Sequence, residues 1–219
     1  RCAIIRLCHE FPEPSDTSDA AGRLAEQIGS RDFVLSVGTI EPRKNHALLV
    51  RLWCAYRREE RPAPLLVLAG RVGWGVDELM GQLDEMEEER GPGNAQVLRV
   101  GPTAETELAQ LYRDCALTVF PSFVEGWGLP AGESLTFGKL CVASEAVADV
   151  SEALLTFDPG DLGDLRRVLD PLLFEPGALA RATARAQAQF TARSWNDVAD
   201  DLDALLAETL LGADLPGSL

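Results

Sequence analysis

Short apolar runs alternate with longer amphipathic segments along most of this 219-residue chain. The apolar runs are rich in Val, Leu and Phe, which is typical of strands that are buried on both faces of a parallel sheet. They predict six strands, at residues 33–37, 64–69, 96–100, 116–120, 140–143 and 153–157. In the longer segments apolar positions recur with a helical spacing. These segments predict helices at residues 47–56, 76–89, 105–113 and 130–137.

The two ends of the chain follow different patterns. Residues 1–7 predict a further short strand, and residues 9–22, rich in Pro, Ser and Asp, predict a linker or surface loop. Three successive helices are predicted at 162–174, 177–190 and 195–211, the last capped by Ser194 with Asp197. Alternating strands and helices are typical of an α/β fold with a Rossmann-like, doubly wound parallel sheet. We therefore expect a connection and linker over 1–30, a Rossmann-like core over 31–160 and a helical C-terminal tail over 161–219.

Composition and charge narrow the classes of function. The chain has 35 acidic and 20 basic residues and a net charge of −15, which disfavours nonspecific nucleic-acid binding and a basic membrane-docking face. The acidic run at residues 84–90 is expected to be a solvated helix face, and no apolar stretch reaches the roughly 18 residues of a transmembrane helix. Five cysteines without a CxxC pair indicate a reducing compartment, with Cys115 and Cys141 as small core residues. The missing initiator Met suggests a trimmed or partial sequence.

The stretch Pro121–Lys139 combines several groups that can bind a polar ligand. It follows a predicted strand and holds two carboxylates, Glu125 and Glu133, eight residues apart. Between them residues 126–128 (GWG) predict a turn, and Pro130 suits the start of a helix. A strand, a glycine loop and a helix in this order present backbone N–H groups to an anion or a sugar hydroxyl. We expect both carboxylates in a crevice at the carboxyl edge of the sheet, with Glu133 in the first helical turn.

A second segment, residues 36–46 (SVGTIEPRKNH), places Arg43 and Lys44 on a loop directly after the first predicted strand. The two segments together resemble the basic loop and the E-x7-E signature of retaining glycosyltransferase family 4, over about residues 33–158. Members of that family have two facing Rossmann-like domains, the GT-B fold, and this chain resembles the C-terminal, nucleotide-sugar-binding half. The resemblance implies that the acceptor-binding half is missing from this chain and that residues 1–10 enter the donor half.

The resemblance also implies roles for individual residues. Arg43 and Lys44 are expected to bind a diphosphate, Arg as a bidentate clamp and Lys as a point charge. Glu133 is expected to accept hydrogen bonds from ribose hydroxyls, and Glu125 to contact the transferred sugar. Further donor contacts are implied at Gly38, Val100, Gly101, Gly126, Trp127, Gly128 and Leu129. The implied catalytic set is Glu125, Arg43 and Lys44, which act on a GDP-, UDP- or dTDP-linked sugar with neither a metal nor a cofactor.

Structural interpretations of the same residues stay open at this point. Arg43 and Lys44 also suit a solvated turn with two exposed cations, and Glu133 suits a helix N-terminus through the helix dipole. Trp127 suits core packing equally well. For Glu125 a second chemical role is that of a covalent nucleophile, although the resemblance favours a front-face reaction assisted by the phosphate.

Other candidate residues have weaker indications of a functional role. His9 and His46 lack partners at metal-ligand spacing and are expected at the surface. Asn45 is expected to cap the helix that follows it. Residues 145–152 are a few residues shorter than the corresponding Pro-Glu and Gly-Gly-Asp loop of the family. The resemblance therefore does not predict the structure of the far wall of the crevice. Residues 70–75 (GRVGWG) do not match the G-x-G-x-x-G fingerprint of a dinucleotide cofactor.

The function implied by the resemblance is transfer of a hexose, with mannose or rhamnose favoured, from a nucleotide diphosphate sugar to a glycan or lipid-linked acceptor. It would take place in the cytoplasm, either free or peripheral at the inner membrane through the missing domain. The alternatives are a nonenzymatic nucleotide-sugar-binding module and a GT-B epimerase. An acceptor domain upstream in the full-length protein would distinguish an enzyme from the binding module, and an epimerase would form product without any acceptor.

Overall fold

The computed structural model describes residues 4–11, 20–88 and 96–211. These residues form a six-stranded, fully parallel sheet with the strand order β3-β2-β1-β4-β5-β6, flanked by helices. The strands are β1 (Phe33–Val37), β2 (Leu65–Ala69), β3 (Val97–Gly101), β4 (Leu117–Phe120), β5 (Cys141–Ser144) and β6 (Leu155–Phe157). The helices are α1 (Ala20–Ile28), α2 (His46–Arg58), α3 (Asp77–Glu88), α4 (Glu105–Asp114), α5 (Leu129–Thr136), α6 (Leu162–Phe174), α7 (Ala178–Gln189) and α8 (Trp195–Leu211). The predicted Rossmann-like, doubly wound sheet with a helical C-terminal tail is confirmed.

The sheet is buried on both faces because successive side chains along each strand point to opposite sides. On β1, Val34 joins a core cluster with side chains of α2, α3 and α6. Its neighbours Phe33 and Leu35 join a second cluster with side chains of α1 and α4. The strands therefore carry apolar residues towards both faces of the sheet, which is the pattern that made them predictable.

The carboxyl ends of the first three strands are held together by glycine backbone. The Gly38 N–H donates to the Ala69 carbonyl, and the Gly70 N–H donates to the Gly101 carbonyl, both at 2.9 Å. Gly70 has a φ of +153°, and a Cβ atom there would lie 2.1 Å from the Gly38 carbonyl oxygen. This close approach admits only glycine, so it fixes the distance between the loops that follow β1 and β2.

The N-terminal region differs from the prediction. Residues 4–7 are not a strand, and residues 1–3 of that predicted strand lie outside the described residues. The predicted linker ends earlier than expected because α1 begins at Ala20 and buries Leu24 and Ile28 in the second core cluster. Part of the acidic run at 84–90, and the glycines predicted to end its helix, also lie outside the described residues. The division of the chain at residues 30 and 160 stays a prediction.

The C-terminal helices agree closely with the prediction. Helices α6 and α8 have the predicted bounds, and Leu165 and Leu169 of α6 are fully buried against the sheet. The predicted cap of α8 is confirmed: the Asp197 carboxylate accepts hydrogen bonds from the Ser194 N–H and hydroxyl, at 2.6 and 2.7 Å. Helix α8 therefore begins at a defined position.

Candidate active site

The predicted site residues gather where the strand order of the sheet reverses. From β1 the chain adds β2 and β3 on one side, whereas β4, β5 and β6 follow on the other side, so β1 and β4 are neighbours. The loop after β1 contains a 3₁₀ turn at Pro42–Lys44, and the loop after β4 leads into α5. Ligands of open α/β sheets bind in the crevice at such a reversal, outside the carboxyl ends of the strands.

Four charged side chains from these two loops form one ion cluster. Lys44 Nζ lies 2.6 Å from Glu125 Oε1, and Arg43 Nη1 lies 3.1 Å from Glu125 Oε2. The Ser122 hydroxyl donates to the same Glu125 Oε1 at 2.6 Å, and Arg43 Nε lies 2.7 Å from Glu41 Oε1. Residues that are about 80 positions apart in the chain therefore meet at the predicted place, and the two cations and two carboxylates make the cluster neutral.

Burial makes this cluster more than a surface ion pair. The side chains of Lys44 and Glu125 are only 13% and 11% exposed, whereas that of Arg43 is 47% exposed. Burial alone raises the pKa of Glu125, but hydrogen bonds from Lys44 and Ser122 outweigh burial, so the net pKa is lowered. Glu125 is thus a carboxylate at neutral pH. The alternative interpretation of a solvated turn with two exposed cations is wrong for Lys44. The Lys44 stem lies over Gly38, with Cε about 3.5 Å from the place of a Cβ there.

Asn45 holds the loops of the site together. Its side-chain amide donates to the carbonyl oxygens of Pro121 and Pro159, at 3.0 and 2.9 Å, so it joins the loops after β1, β4 and β6. Asn45 occupies the N-cap position of α2, but its side chain makes no capping hydrogen bond, and the predicted capping role is wrong. Its left-handed backbone, with φ of +54°, suits asparagine better than most residues and points the amide away from the helix.

The loop after β4 is held in place by hydrogen bonds from a buried hydroxyl and from backbone groups. The Ser144 hydroxyl donates to the Ser122 carbonyl at 2.6 Å, and the Phe123 N–H donates to the Arg43 carbonyl at 2.8 Å. These contacts position the backbone on both sides of Glu125. Ser122 and Ser144 are functional supports that the sequence did not reveal, because nothing in the spacing of a lone serine indicates its partner.

The glycine turn before α5 is tightly packed on one side only. Gly128 has a φ of +92°, and a Cβ there would lie 2.5 Å from Val147 Cγ1, whereas a Cβ at Gly126 would meet nothing within 4 Å. Val147 belongs to a short 3₁₀ segment, Glu145–Val150. This segment forms the far wall of the crevice, whose structure the sequence did not predict. Trp127 is half-buried against the core and its Nε1 has no partner among the described residues, whereas Leu129 is 41% exposed.

Glu133 lies one turn deeper than predicted. Helix α5 begins at Leu129, so Glu133 is in the second turn rather than the first. Its Oε2 accepts a hydrogen bond from the buried Tyr112 hydroxyl at 2.9 Å. Burial raises the pKa of Glu133, and the Tyr112 hydrogen bond offsets this only in part. A carboxylate with one defined partner retains lone pairs for further donors.

Val100 and Gly101 lie apart from the ion cluster. They end β3, which is separated from β1 by β2. Gly101 has a φ of +71°, and a Cβ there would meet nothing within 4 Å, so the backbone at this edge of the crevice is accessible. The structure therefore divides the predicted residues into a central group on the loops after β1 and β4 and a flanking group at the end of β3.

The sequence profile of the family described as "Glycosyl transferases group 1" matches residues 24–162, which include β1 to β6 and every predicted site residue. The chain belongs to this family. Residues 24–162 also contain the two loops of the ion cluster, so the family match and the geometry of the site concern the same part of the molecule.

Relatives of this glycosyl transferases group 1 chain include two mannosyltransferases of Escherichia coli. The serotype-specific mannosyltransferase WbdA is 31% identical over 172 residues, which cover 77% of this chain and 21% of WbdA. The O-antigen chain mannosyltransferase B is 32% identical over 174 residues, or 78% of this chain and 44% of that protein. The chain thus spans less than half the length of these relatives.

A solved structure shows the same architecture. The α,α-trehalose-phosphate synthase (UDP-forming) from Burkholderia xenovorans, in complex with glucose-6-phosphate, matches 88% of this chain and 47% of its own, with a TM-score of 0.70 at 17% identity. At this identity the likeness concerns the fold alone. The sheet of the glycosyl transferases group 1 chain is therefore one Rossmann-like half of a GT-B fold.

Two histidines of this glycosyl transferases group 1 chain are buried, contrary to the prediction. His9 packs against the Phe190 ring, and its Nδ1 accepts from the Arg193 N–H at 3.1 Å. His46 begins α2 beside the ion cluster and is 2% exposed. Burial, reinforced by the nearby Lys44 charge and opposed by Glu125, lowers the pKa of His46 to about 4. Both were predicted at the surface because the spacing of metal ligands carries no information on how a side chain packs.

His46 is expected to make stability depend on pH. Its folded pKa of about 4 lies below the ordinary 6.5, so between these values the unfolded chain binds more protons than the folded chain. Stability contributed by neutral His46 is present above pH 6.5 and is lost as pH falls towards 4, by about 3 kcal/mol. Urea unfolding of the parent and of His46→Gln, at about pH 7 and about pH 4, measures this. Equal acid losses in both proteins would contradict it.

Metal ligation and membrane insertion find no support within residues 4–11, 20–88 and 96–211. No group of three or more His, Cys, Asp or Glu side chains in these ranges is arranged to hold a metal ion. In the same ranges no helix combines the length and the apolar character needed to cross a membrane. Cys115 and Cys141 are free and buried, as predicted.

Proposed function

We propose that this chain is the donor-binding half of a retaining glycosyltransferase of family 4. It binds a nucleotide diphosphate sugar and supplies Arg43, Lys44 and Glu125 to the transfer of a hexose. The single observation that carries this proposal is the ion cluster, in which two cations from one loop and a carboxylate from another meet at the reversal of the strand order. Cations at this position suit a diphosphate, and a carboxylate beside them suits sugar hydroxyls.

Arg43 and Lys44 would act mainly on the leaving group. When the bond between the sugar and the β-phosphate breaks, negative charge increases on the phosphate oxygens. Cations fixed next to those oxygens stabilise the transition state more than the bound donor, which is the kind of interaction that accelerates a reaction. The diphosphate would replace Glu125 as the partner of both cations, and Glu125 would then be free to accept hydrogen bonds from the transferred sugar.

The remaining predicted residues would surround the other parts of the donor. Glu133 would accept the ribose hydroxyls, Gly126 to Leu129 would present backbone N–H groups at the N-terminus of α5, and Gly38, Val100 and Gly101 would present backbone along the strand ends. The open space beside Gly126 and Gly101 supports this placement, since a ligand can approach the backbone there.

Mannose is the sugar that we propose first, with rhamnose second. The two E. coli relatives are named mannosyltransferases, and both match more than three quarters of this chain. A GDP-linked donor is the first choice for a mannosyl group, with UDP and dTDP as the other bases. The acceptor would be a glycan or a lipid-linked glycan that binds mainly to the rest of a longer protein. We further propose a cytoplasmic location, free or peripheral at the inner membrane, which the free thiols of Cys8, Cys54, Cys115 and Cys141 support.

A thermal-shift screen tests this proposal directly. GDP, UDP and dTDP and their sugars are added to the chain with and without EDTA. A ligand at 100 times its dissociation constant stabilises the folded state by about 2.7 kcal/mol. We expect one nucleotide to raise the melting temperature, its sugar conjugate to raise it further, and EDTA to change neither. A shift that disappears on chelation and returns with Mn²⁺ would contradict the proposed role of Arg43 and Lys44.

Glu125→Gln is expected to tighten the binding of free nucleoside diphosphate. The diphosphate must displace the Glu125 carboxylate from Lys44 and Arg43, and a neutral amide competes less for both cations. We expect a gain of about 1–2 kcal/mol, or about five- to thirtyfold in the dissociation constant, in isothermal titration calorimetry. The additional affinity conferred by the sugar should fall at the same time. Weaker binding of the free diphosphate by Glu125→Gln would show that the carboxylate is not a competitor.

Glu133→Ala is expected to weaken the binding of nucleoside diphosphates and of nucleotide sugars to the same extent, because the ribose is common to both. Loss of a charged hydrogen bond costs about 1.5–3 kcal/mol. Tyr112→Phe is the matched control, since it removes the hydroxyl that binds Glu133 without removing the carboxylate. Calorimetry in which Glu133→Ala loses affinity only for the sugar conjugate would place Glu133 at the wrong end of the donor.

A further inference from the structure

A cavity of about 390 Å³ lies directly beside the ion cluster and is not used by the proposed donor site. It is bounded by the loop after β1, the first turns of α2 and α3, and Phe123 from the loop after β4. Its volume falls within the range of about 300–1,000 Å³ that small-molecule sites occupy. Glu41 lines it, and the Arg43 guanidinium bridges Glu41 on this side and Glu125 on the other, at 2.7 and 3.1 Å.

The cavity is lined by both apolar and polar side chains. Val76 and Leu79 provide an apolar floor, and the Phe123 ring stands at the edge with 49% exposure. Around them the side chains of Arg51, Glu78 and Gln82 carry donor and acceptor groups that make no hydrogen bond or ion pair with any other residue of the described ranges. An aromatic ring beside unpaired carboxylate, amide and guanidinium groups matches a saccharide, which has apolar C–H faces and a rim of hydroxyls.

We propose that this cavity is an acceptor-saccharide subsite on the donor half of the protein. The proposal rests on the proposed glycosyltransferase function. One end of a bound saccharide would lie against Glu41 and Arg43, one guanidinium away from the carboxylate assigned to the transferred sugar. The Phe123 ring would stack on a sugar face, and Glu78 and Gln82 would bind hydroxyls. The acceptor would then be bound by this chain as well as by the rest of the longer protein.

The neighbouring loop carries an exposed aromatic residue directly before a residue that lines the cavity. Gly75, which lines the cavity, has a φ of +65°, and a Cβ there would lie 3.2 Å from Pro42. A Cβ at Gly73 would lie 2.9 Å from the Thr39 methyl group, so this loop packs through its glycines. Trp74 between them is 69% exposed. A glycine-packed loop that leaves its one tryptophan in solvent suits an extended ligand longer than one sugar unit.

The test uses this chain, saturating GDP or whichever nucleotide the thermal screen identifies, and an α-linked mannotriose as the probe. Saturation-transfer difference NMR detects the millimolar binding expected of a subsite, and a titration gives the dissociation constant. We expect Phe123→Ala and Glu78→Ala each to raise the mannotriose dissociation constant at least about fivefold. Asp77→Ala is the matched control, because Asp77 begins the same helix and carries the same charge but does not line the cavity.

The outcomes separate this subsite from the donor site. Nucleotide affinity of both cavity variants should equal that of the parent. If the nucleotide binds but the parent gives no saturation transfer to mannotriose, or if both variants bind mannotriose as the parent does, the subsite is wrong and this surface contacts the rest of the longer protein. If no nucleotide or nucleotide sugar binds at all, the proposed function fails and the subsite with it.

Discussion

Replacing Arg43 and Lys44 together by alanine is expected to weaken nucleoside diphosphate binding by more than about a hundredfold. Each residue would contribute a charged hydrogen bond to the diphosphate, and such bonds are worth about 1.5–3 kcal/mol. The sum of about 3 kcal/mol or more corresponds to that change in the dissociation constant. Isothermal titration calorimetry with the nucleotide identified by thermal shift measures it.

The control for this variant must change the charge equally and leave the site intact. Arg58→Ala with Arg185→Ala removes two exposed cations from the C-terminal end of α2 and from α7, away from the carboxyl edge of the sheet. This control should bind the nucleotide as the parent does. Because the double variant leaves the largely buried Glu125 carboxylate without its cations, a triple variant with Glu125→Gln should restore any lost stability. Binding by that triple variant within about threefold of the parent would refute the placement of the diphosphate.

Gly70→Ala is expected to destabilise the fold by at least about 3 kcal/mol. The new Cβ would lie 2.1 Å from the Gly38 carbonyl oxygen, and the backbone φ of +153° is one that residues with a side chain rarely adopt. The contacted atom is backbone, which cannot rotate away, so the end of β1 or β2 must move. Denaturant unfolding measures the loss. Surviving folded protein should also bind nucleotide more weakly, since the loop that carries Lys44 starts at Gly38.

Gly81→Ala is the matched control for this substitution. Gly81 lies inside α3, and a Cβ there would meet nothing within 4 Å. Alanine in a helix interior is favoured over glycine, so this variant should be unchanged or more stable by about 0.5–1 kcal/mol. If Gly70→Ala unfolds at the same denaturant concentration as Gly81→Ala, the strand ends are not as closely packed as described.

The sheet could be predicted from the sequence because buried parallel strands have a continuous apolar signal. The bounds of β1, α6 and α8 agree residue for residue with the prediction. Helix α1 was missed because Ala20 follows a Pro-, Ser- and Asp-rich stretch. Leu24 and Ile28 of this helix are buried in the second core cluster, but one apolar pair four residues apart is too short a periodic signal to identify a helix from the sequence.

Part of the site was predictable for a geometric reason. Arg43 and Glu125 each follow a strand, and the carboxyl ends of parallel strands meet at one edge, so their approach needed only the strand order. The partners of these residues were not predictable. Ser122 and Tyr112 hold the two carboxylates through contacts that depend on side-chain direction, and a hydroxyl has no sequence signal for its acceptor. The burial of His46 likewise depends on packing around the start of α2.

The neutral state of the ion cluster has a consequence for competition between anions in a cell. A small anion that approaches Arg43 and Lys44 must displace Glu41 and Glu125, which already satisfy both cations. Inorganic phosphate or sulfate would make no further contacts, whereas the proposed nucleotide-sugar donor would add contacts to its base, ribose and hexose. The two carboxylates would therefore disfavour abundant small anions and leave the site available for a scarce donor.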